Sequence, residues 1–116
     1  MISLTLPYPP SMNTYWRNVA GRTLLSVKGR LYKTAVGRAV SWSRANKNLS
    51  CRLSVHIKLY PADKRKRDLD NSCKAILDGM QAAGVYLDDS QIDRLLVERC
   101  EIEKGGAAVV TVEEMA

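Results

Sequence analysis

The sequence predicts an α+β domain in which a mixed β-sheet is packed by helices on its apolar side. Three observations predict it. Cys51, Leu53, Val55, Ile57 and Leu59 alternate with Arg52, Ser54, His56 and Lys58, which is the period-2 pattern of a strand with one apolar and one basic-polar face. Cys73, Ile76, Leu77 and Met80 recur at helical spacing instead. Lys104-Gly105-Gly106 separates two apolar runs, as a hairpin turn does.

The elements follow in order. Ile2, Leu4 and Leu6 alternate with Ser3 and Thr5 as a short half-buried strand, stopped by Pro7, Pro9 and Pro10. An extended loop through Ser11-Met12-Asn13 leads to Tyr15-Trp16-Arg17 and a turn at Ala20-Gly21-Arg22. Ser26 is placed to cap a helix from about 27 to 46, with Leu31, Ala35, Ala39 and Trp42 facing inward and Gly29 and Gly37 weakening it. The 51–60 strand follows. Asp70 or Asn71 opens a helix to about 83, where Gly84 ends it. Asp88 caps a short turn through Gln91, and strands at about 94–103 and 107–113 flank the Gly-Gly turn.

At 116 residues the chain has the length of one domain, 1–116. No apolar run approaches a membrane span and no basic-then-apolar leader opens it, so no membrane partner and a cytoplasmic location are expected. Cys51, Cys73 and Cys100 read as free, buried thiols, and with His56 the single histidine a zinc site of His and Cys ligands is not expected. Charge is strongly segregated. Residues 1–67 hold 14 Lys and Arg but one acid, Asp63, whereas residues 68–116 hold four Lys and Arg and 11 acids. An almost acid-free basic half is the footprint of a nucleic-acid binder.

The two halves meet where Lys64-Arg65-Lys66-Arg67 runs into Asp68-Leu69-Asp70-Asn71. Paired carboxylates bind a hard cation such as Mg²⁺, and adjacent cations bring a phosphate backbone toward acids that would repel it. Acids at i and i+2 point the same way only on extended chain, so Asp68 and Asp70 are placed on an extended segment with Leu69 turned inward. Lys74, one helical turn beyond Asp70, serves either as a cation at the scissile phosphate or as the middle of an Asp70–Lys74–Asp78 ladder. Of Asp88 and Asp89, one is a cap and the other is available as a third ligand. His56 reads as facing DNA or solvent, not as a general base. Tyr15 and Trp16, beside Arg17, are placed to stack on bases, with core anchoring the alternative for Trp16.

These residues carry a family resemblance. The chain resembles the RusA-type Holliday-junction resolvases. The likeness lies in Leu6-Pro7-Tyr8-Pro9-Pro10-Ser11-Met12-Asn13, in Arg67 to Asn71 with Lys74-Ala75 and Asp78, and in Ala83 to Gln91 with Lys104-Gly105-Gly106. Residues 14–60 follow the family in pattern more than in identity. The resemblance implies a homodimer that binds a four-way DNA junction and makes paired nicks with Mg²⁺ or Mn²⁺. It implies Asp68, Asp70 and Asp89 as metal ligands and catalytic acids, with Lys74 as the accessory cation. Asn13, Arg17, Lys64, Arg65, Lys66, Arg67 and Asn71 are the expected DNA contacts. Exposed strand edges and the apolar residues of the first long helix both stand as dimer surfaces. Two other readings remain: a noncatalytic nucleic-acid-binding module, and a nuclease acting mainly on other branched DNA or RNA.

Overall fold

The computed structural model describes residues 1–115. The chain runs β1 (Ile2–Leu6), α1 (Met12–Tyr15), β2 (Trp16–Val19), β3 (Arg22–Leu25), α2 (Val27–Trp42), β4 (Leu53–Tyr60), α3 (Asp70–Ala82), a 3-10 turn (Asp89–Gln91), β5 (Ile92–Arg99) and β6 (Ala107–Glu114). One sheet has the order β1-β6-β4-β5, and β2-β3 form a separate pair. β6 is antiparallel to both β1 and β4, and β5 is parallel to β4 with α3 in the crossover. The sheet is mixed, as predicted. Its inner face (Leu4, Leu6, Leu53, Val55, Ile57, Leu59, Ala108, Val110 and Val112) is buried in one core with Val36 and Val40 of α2 and Ile76 and Met80 of α3. Among the described residues no helix is long and apolar enough to cross a membrane.

Several elements differ from expectation. The Gly-Gly turn does not join paired strands: β4 lies between β5 and β6. The alternating Ala108, Val110 and Val112 give β6 a fully apolar face, which suits a central slot, whereas Asp93, Arg94, Glu98 and Arg99 send β5 to the edge. β5 also begins and ends earlier than the predicted 94–103. Segment 16–25, read only as a turn, is a hairpin whose corner, Ala20 and Gly21, takes φ of +52° and +77°. The anchor beside it is Tyr15, at 1% exposure, which leaves it unable to stack on bases; Trp16 lies edge-on to it and is 39% exposed. The cysteines are free but half-buried.

The first long helix starts as predicted, with the Ser26 hydroxyl accepting from the Gly29 amide at 3.0 Å. It ends at Trp42, four residues early, because Arg44 turns left-handed (φ +56°) and the Ala45 amide bonds back to the Val40 carbonyl. Its buried face is Gly29, Tyr32, Val36 and Val40; Leu31 and Trp42 are 65% and 91% exposed. Leu31, Ala35 and Ala39 share their four-residue spacing with Tyr32, Val36 and Val40, so periodicity alone does not choose between the two stripes. Tyr32 decides it by donating to the Pro7 carbonyl at 2.8 Å. In α3 the buried face is likewise rotated, to Ser72, Ala75, Ile76, Gly79 and Met80, leaving Cys73 and Leu77 half-buried.

The two glycines of α2 play opposite parts. A Cβ on Gly29 would lie 2.6 Å from the Tyr15 carbonyl oxygen, whereas one on Gly37 would meet nothing within 4 Å. Gly29→Ala is therefore expected to lower unfolding stability by about 1–3 kcal/mol through overpacking, and Gly37→Ala to raise it by about 0.8 kcal/mol through helix propensity. Paired denaturant titrations check this; equal shifts of the same sign would contradict the packing.

Candidate active site

The site starts from the way two turns are tied together. The buried side chain of Gln91 accepts from the Leu87 and Asp88 amides at 3.0 and 2.8 Å and donates to the Leu49 and Cys51 carbonyls at 2.8 and 2.9 Å. Its four bonds fix the 87–91 turn against the segment leading into β4. Asp88 is the cap of that turn: its carboxylate accepts from the Ser90 amide at 3.0 Å, which holds its pKa below the ordinary carboxylate range. Its neighbour Asp89 is fixed by its own backbone, whose amide donates to the Gln81 side chain on α3 at 2.9 Å. Gln81 and Gln91 escape sequence reasoning, since a polar residue that positions others has no spacing of its own.

Asp89 thus faces α3, and Lys74 meets it there. The Lys74 ammonium lies 3.0 Å from Asp78 Oδ1 and 3.3 Å from Asp89 Oδ2. Asp78 first and then Asp89 raise its pKa, so it stays protonated throughout the neutral range. The ladder to Asp78 is present. The rung to Asp70 is not among the ion pairs of the described residues, and the cation turns to Asp89 instead. Asn71, Lys74 and Asp78 make one stripe along α3, three to four residues apart.

Asp68 and Asp70 are not on one extended segment. Leu69 has helical dihedrals (φ −61°, ψ −42°) and Asp70 is the first residue of α3, so the two carboxylates diverge around the helix start. Leu69 does turn toward the core. Asp68 accepts from Asn71 Nδ2 at 3.4 Å. Among the described residues no three His, Cys, Asp or Glu side chains gather closely enough to enclose a metal. The donor set still suits Mg²⁺, which takes hard oxygen ligands and is commonly held by one or two carboxylates together with water and substrate phosphate.

A cleft adjoins the acids. Tyr8, Asn13, Lys28, Arg65, Lys66 and Arg67 line it together with Asn71 and one acid, Asp68. The basic run is a ridge, with Lys64 to Arg67 also lining a groove on its other side against Arg99 to Ile102. Lys28 belongs to this surface and was not singled out by the sequence. Arg17 does not: it lies on the exposed β2-β3 hairpin and is not among the lining residues. His56 is on the sheet face away from the helices and pairs with Glu98.

Asp63, the one acid of the basic half, shapes the ridge. It accepts from the Arg65 amide at 3.0 Å and pairs with both Arg65 and Arg67, at 3.1 and 2.9 Å. Arg67 also stacks over Tyr8, 5.5 Å from the ring centre. Lys64 and Lys66 make no ion pair among the described residues, which leaves them open to a ligand. The Arg65 amide first, then its guanidinium, lowers the Asp63 pKa to about 2. A depressed folded-state pKa means the ordering of the loop is complete above the ordinary carboxylate value and is lost as pH falls toward 2. Titration of the Arg65 amide shift by NMR is expected to show a midpoint near 2. A midpoint at or above the ordinary carboxylate value would contradict the Asp63 hub.

The chain matches known proteins along almost its whole length. The family profile described as Endodeoxyribonuclease RusA matches residues 7–113. The chain is 38% identical over 112 residues to the crossover junction endodeoxyribonuclease of Enterobacteria phage 82, an alignment covering 97% of this chain and 93% of that one. It is also 38% identical over 113 residues to the crossover junction endodeoxyribonuclease RusA of Escherichia coli K12, covering 97% and 94%. The corresponding protein of Escherichia coli O139:H28 is 35% identical over the same length. With a family match across residues 7–113 and relatives of this identity, the chain belongs to the RusA family of endodeoxyribonucleases.

Proposed function

We propose that the protein is a homodimeric, Mg²⁺-dependent endonuclease that resolves four-way DNA junctions by paired nicks. The observation that carries this is the Lys74 ammonium held between Asp78 and Asp89, on the same helix stripe as Asn71 at the edge of the basic cleft. A cation held by carboxylates next to a basic cleft suits phosphodiester hydrolysis, and this supports the reading. The relatives named as crossover junction endodeoxyribonucleases support the same substrate.

The residues divide the work by position. Lys64 and Lys66 draw the phosphate backbone onto the ridge, while Arg65 and Arg67 are held in shape by Asp63. Asn13, Lys28 and Asn71 line the cleft into which the strand is laid. Lys74 keeps its proton and donates to a phosphate oxygen as its hold on Asp89 loosens. One or two of Asp68, Asp70 and Asp89, which are not gathered into a single cage, would hold Mg²⁺, or Mn²⁺ in its place, with water and phosphate oxygens completing the shell. When bound, the cation supplies relief of charge on the phosphoryl oxygens and a more acidic water. A homodimer makes the cuts symmetric, because one site cuts one strand and a two-fold junction needs two.

Asp70→Asn is expected to lower junction cleavage by at least roughly a thousandfold, about 4 kcal/mol of transition-state stabilisation. Junction affinity is expected to hold or to tighten, since a repulsive charge is removed. Single-turnover cleavage of a labelled four-way junction in Mg²⁺, with an EDTA control, checks this. Wild-type rates in the variant would contradict the site, and binding without nicking by wild type would favour a noncatalytic module. Equal cleavage of junction, fork and linear duplex would remove the junction preference. On the ridge, Lys64→Ala with Lys66→Ala is expected to flatten the log–log salt dependence of junction binding by about two units. An unchanged slope would mean that these side chains do not touch phosphate.

A further inference from the structure

β5 pairs with β4 on one flank and with no described strand on the other. It is eight residues long, contains no proline, and leaves Leu95 and Leu96 at 44% and 43% exposure. An edge of this kind is a template for another strand. Other uncovered apolar surfaces are the β2-β3 hairpin, with Trp16, Val19 and Leu24 exposed beside the cations Arg17 and Arg22, and the α2 stripe of Val27, Leu31 and Trp42. That helix carries basic residues and no acid, so two copies of it would set cations against cations. β5 carries two charges of each sign and can face itself.

Backbone direction limits how it can do so. The Cys100 amide donates to the Leu59 carbonyl at 2.8 Å, toward β4. Alternation along the strand then turns the backbone groups of Leu95, Val97 and Arg99 to the open edge and those of Arg94, Leu96 and Glu98 toward β4. An antiparallel partner pairs outward residues with outward residues, so the two-fold axis falls on a residue and not between two. Placed on Leu95, it pairs no opposite charges. Placed on Val97, it sets Asp93 against Glu101. Placed on Leu96, it pairs Leu95 with Val97 and Arg94 with Glu98 of the second copy, and brings Asp93 opposite Arg99. Among the described residues Arg94 has no ion pair within its own chain, whereas Glu98 already holds His56 and Asp93 holds Arg52, so each carboxylate would serve a second cation across the seam.

We infer that the second copy of this chain docks on the β5 edge, antiparallel about a two-fold axis at Leu96, giving one continuous eight-stranded sheet. This rests on the homodimer proposed above and names its surface and register. Each Arg94–Glu98 pair then occurs twice by symmetry, and Leu96 meets its own copy at a close, non-hydrogen-bonded position.

Sedimentation equilibrium of the full chain tests it. Arg94→Glu and Glu98→Arg each turn two opposite-charge pairs into like-charge pairs, and each is expected to weaken the dimer by roughly tenfold or more in Kd. The double variant is expected to restore the wild-type Kd to within about threefold, since the pairs are remade with exchanged signs. Leu96→Cys, oxidised beside a wild-type control, is expected to give a disulfide-linked dimer, which keeps the test decisive if a charge variant does not fold. A monomeric wild type would overturn the homodimer itself. A wild-type dimer unmoved by either single change, or weakened instead by Leu31→Ser or Trp42→Ser, would overturn this surface and leave the homodimer standing. Loss in both single variants without rescue in the double would overturn the register.

Discussion

The buried amide of Gln91 is the contact on which the rest of the arrangement turns. Its side chain uses both acceptor lone pairs and both donor hydrogens on backbone groups of two separate segments, 87–88 and 49–51. A buried amide with all four bonds made stabilises; one with any bond missing costs about 1–3 kcal/mol for the group left unpaired. The network therefore tends to be complete or absent. When complete, it presents Asp89 to α3, leaves Asp88 occupied as a cap, and starts β5 beside β4. One side chain thus fixes the turn that carries Asp89 and the start of the free sheet edge.

Charge segregation becomes intelligible at this scale. The basic half needs a counter-charge only where its chain must hold a shape, and Asp63 supplies it by gathering Arg65 and Arg67. The remaining lysines of the ridge stay available to phosphate. The acids of the second half divide similarly: Asp88 caps, Asp93 pairs with Arg52, and Asp78 and Asp89 share Lys74. Asp68 and Asp70 are exposed, and Asp70 makes no ion pair among the described residues. Carboxylates left this open are the ones able to take up a hydrated cation without first breaking a structural contact.

Much of this was legible in the sequence. The strict alternation of β4 and the Ser26 and Asp88 caps are local signals, and local physics suffices to read them. The inward face of α2 was not legible, because two apolar stripes share one spacing and only the long-range bond from Tyr32 to Pro7 separates them. The slot of β6 beside β4 was hidden for a similar reason: a Gly-Gly turn reports a reversal of the chain but not which strand lies between its arms. In the site, the adjacency of basic run and acids was plain, as was the Lys74–Asp78 rung. The helix opens at Asp70, as read, but the extended placement of Asp68 and Asp70 failed because Leu69 between them already takes helical dihedrals. Gln81 and Gln91 were silent, since their partners are backbone groups distant in sequence.

The most direct measurement is anomalous diffraction from crystals of the Asp70-intact protein with Mn²⁺ and a junction made uncleavable at the scissile phosphates. The account predicts a Mn²⁺ peak in coordination contact with Asp70 and Asp89 oxygens, and the Lys74 ammonium moved from Asp89 onto a phosphate. Bound junction with no such peak, or with the metal held away from both carboxylates and Lys74 still on Asp89, would contradict it.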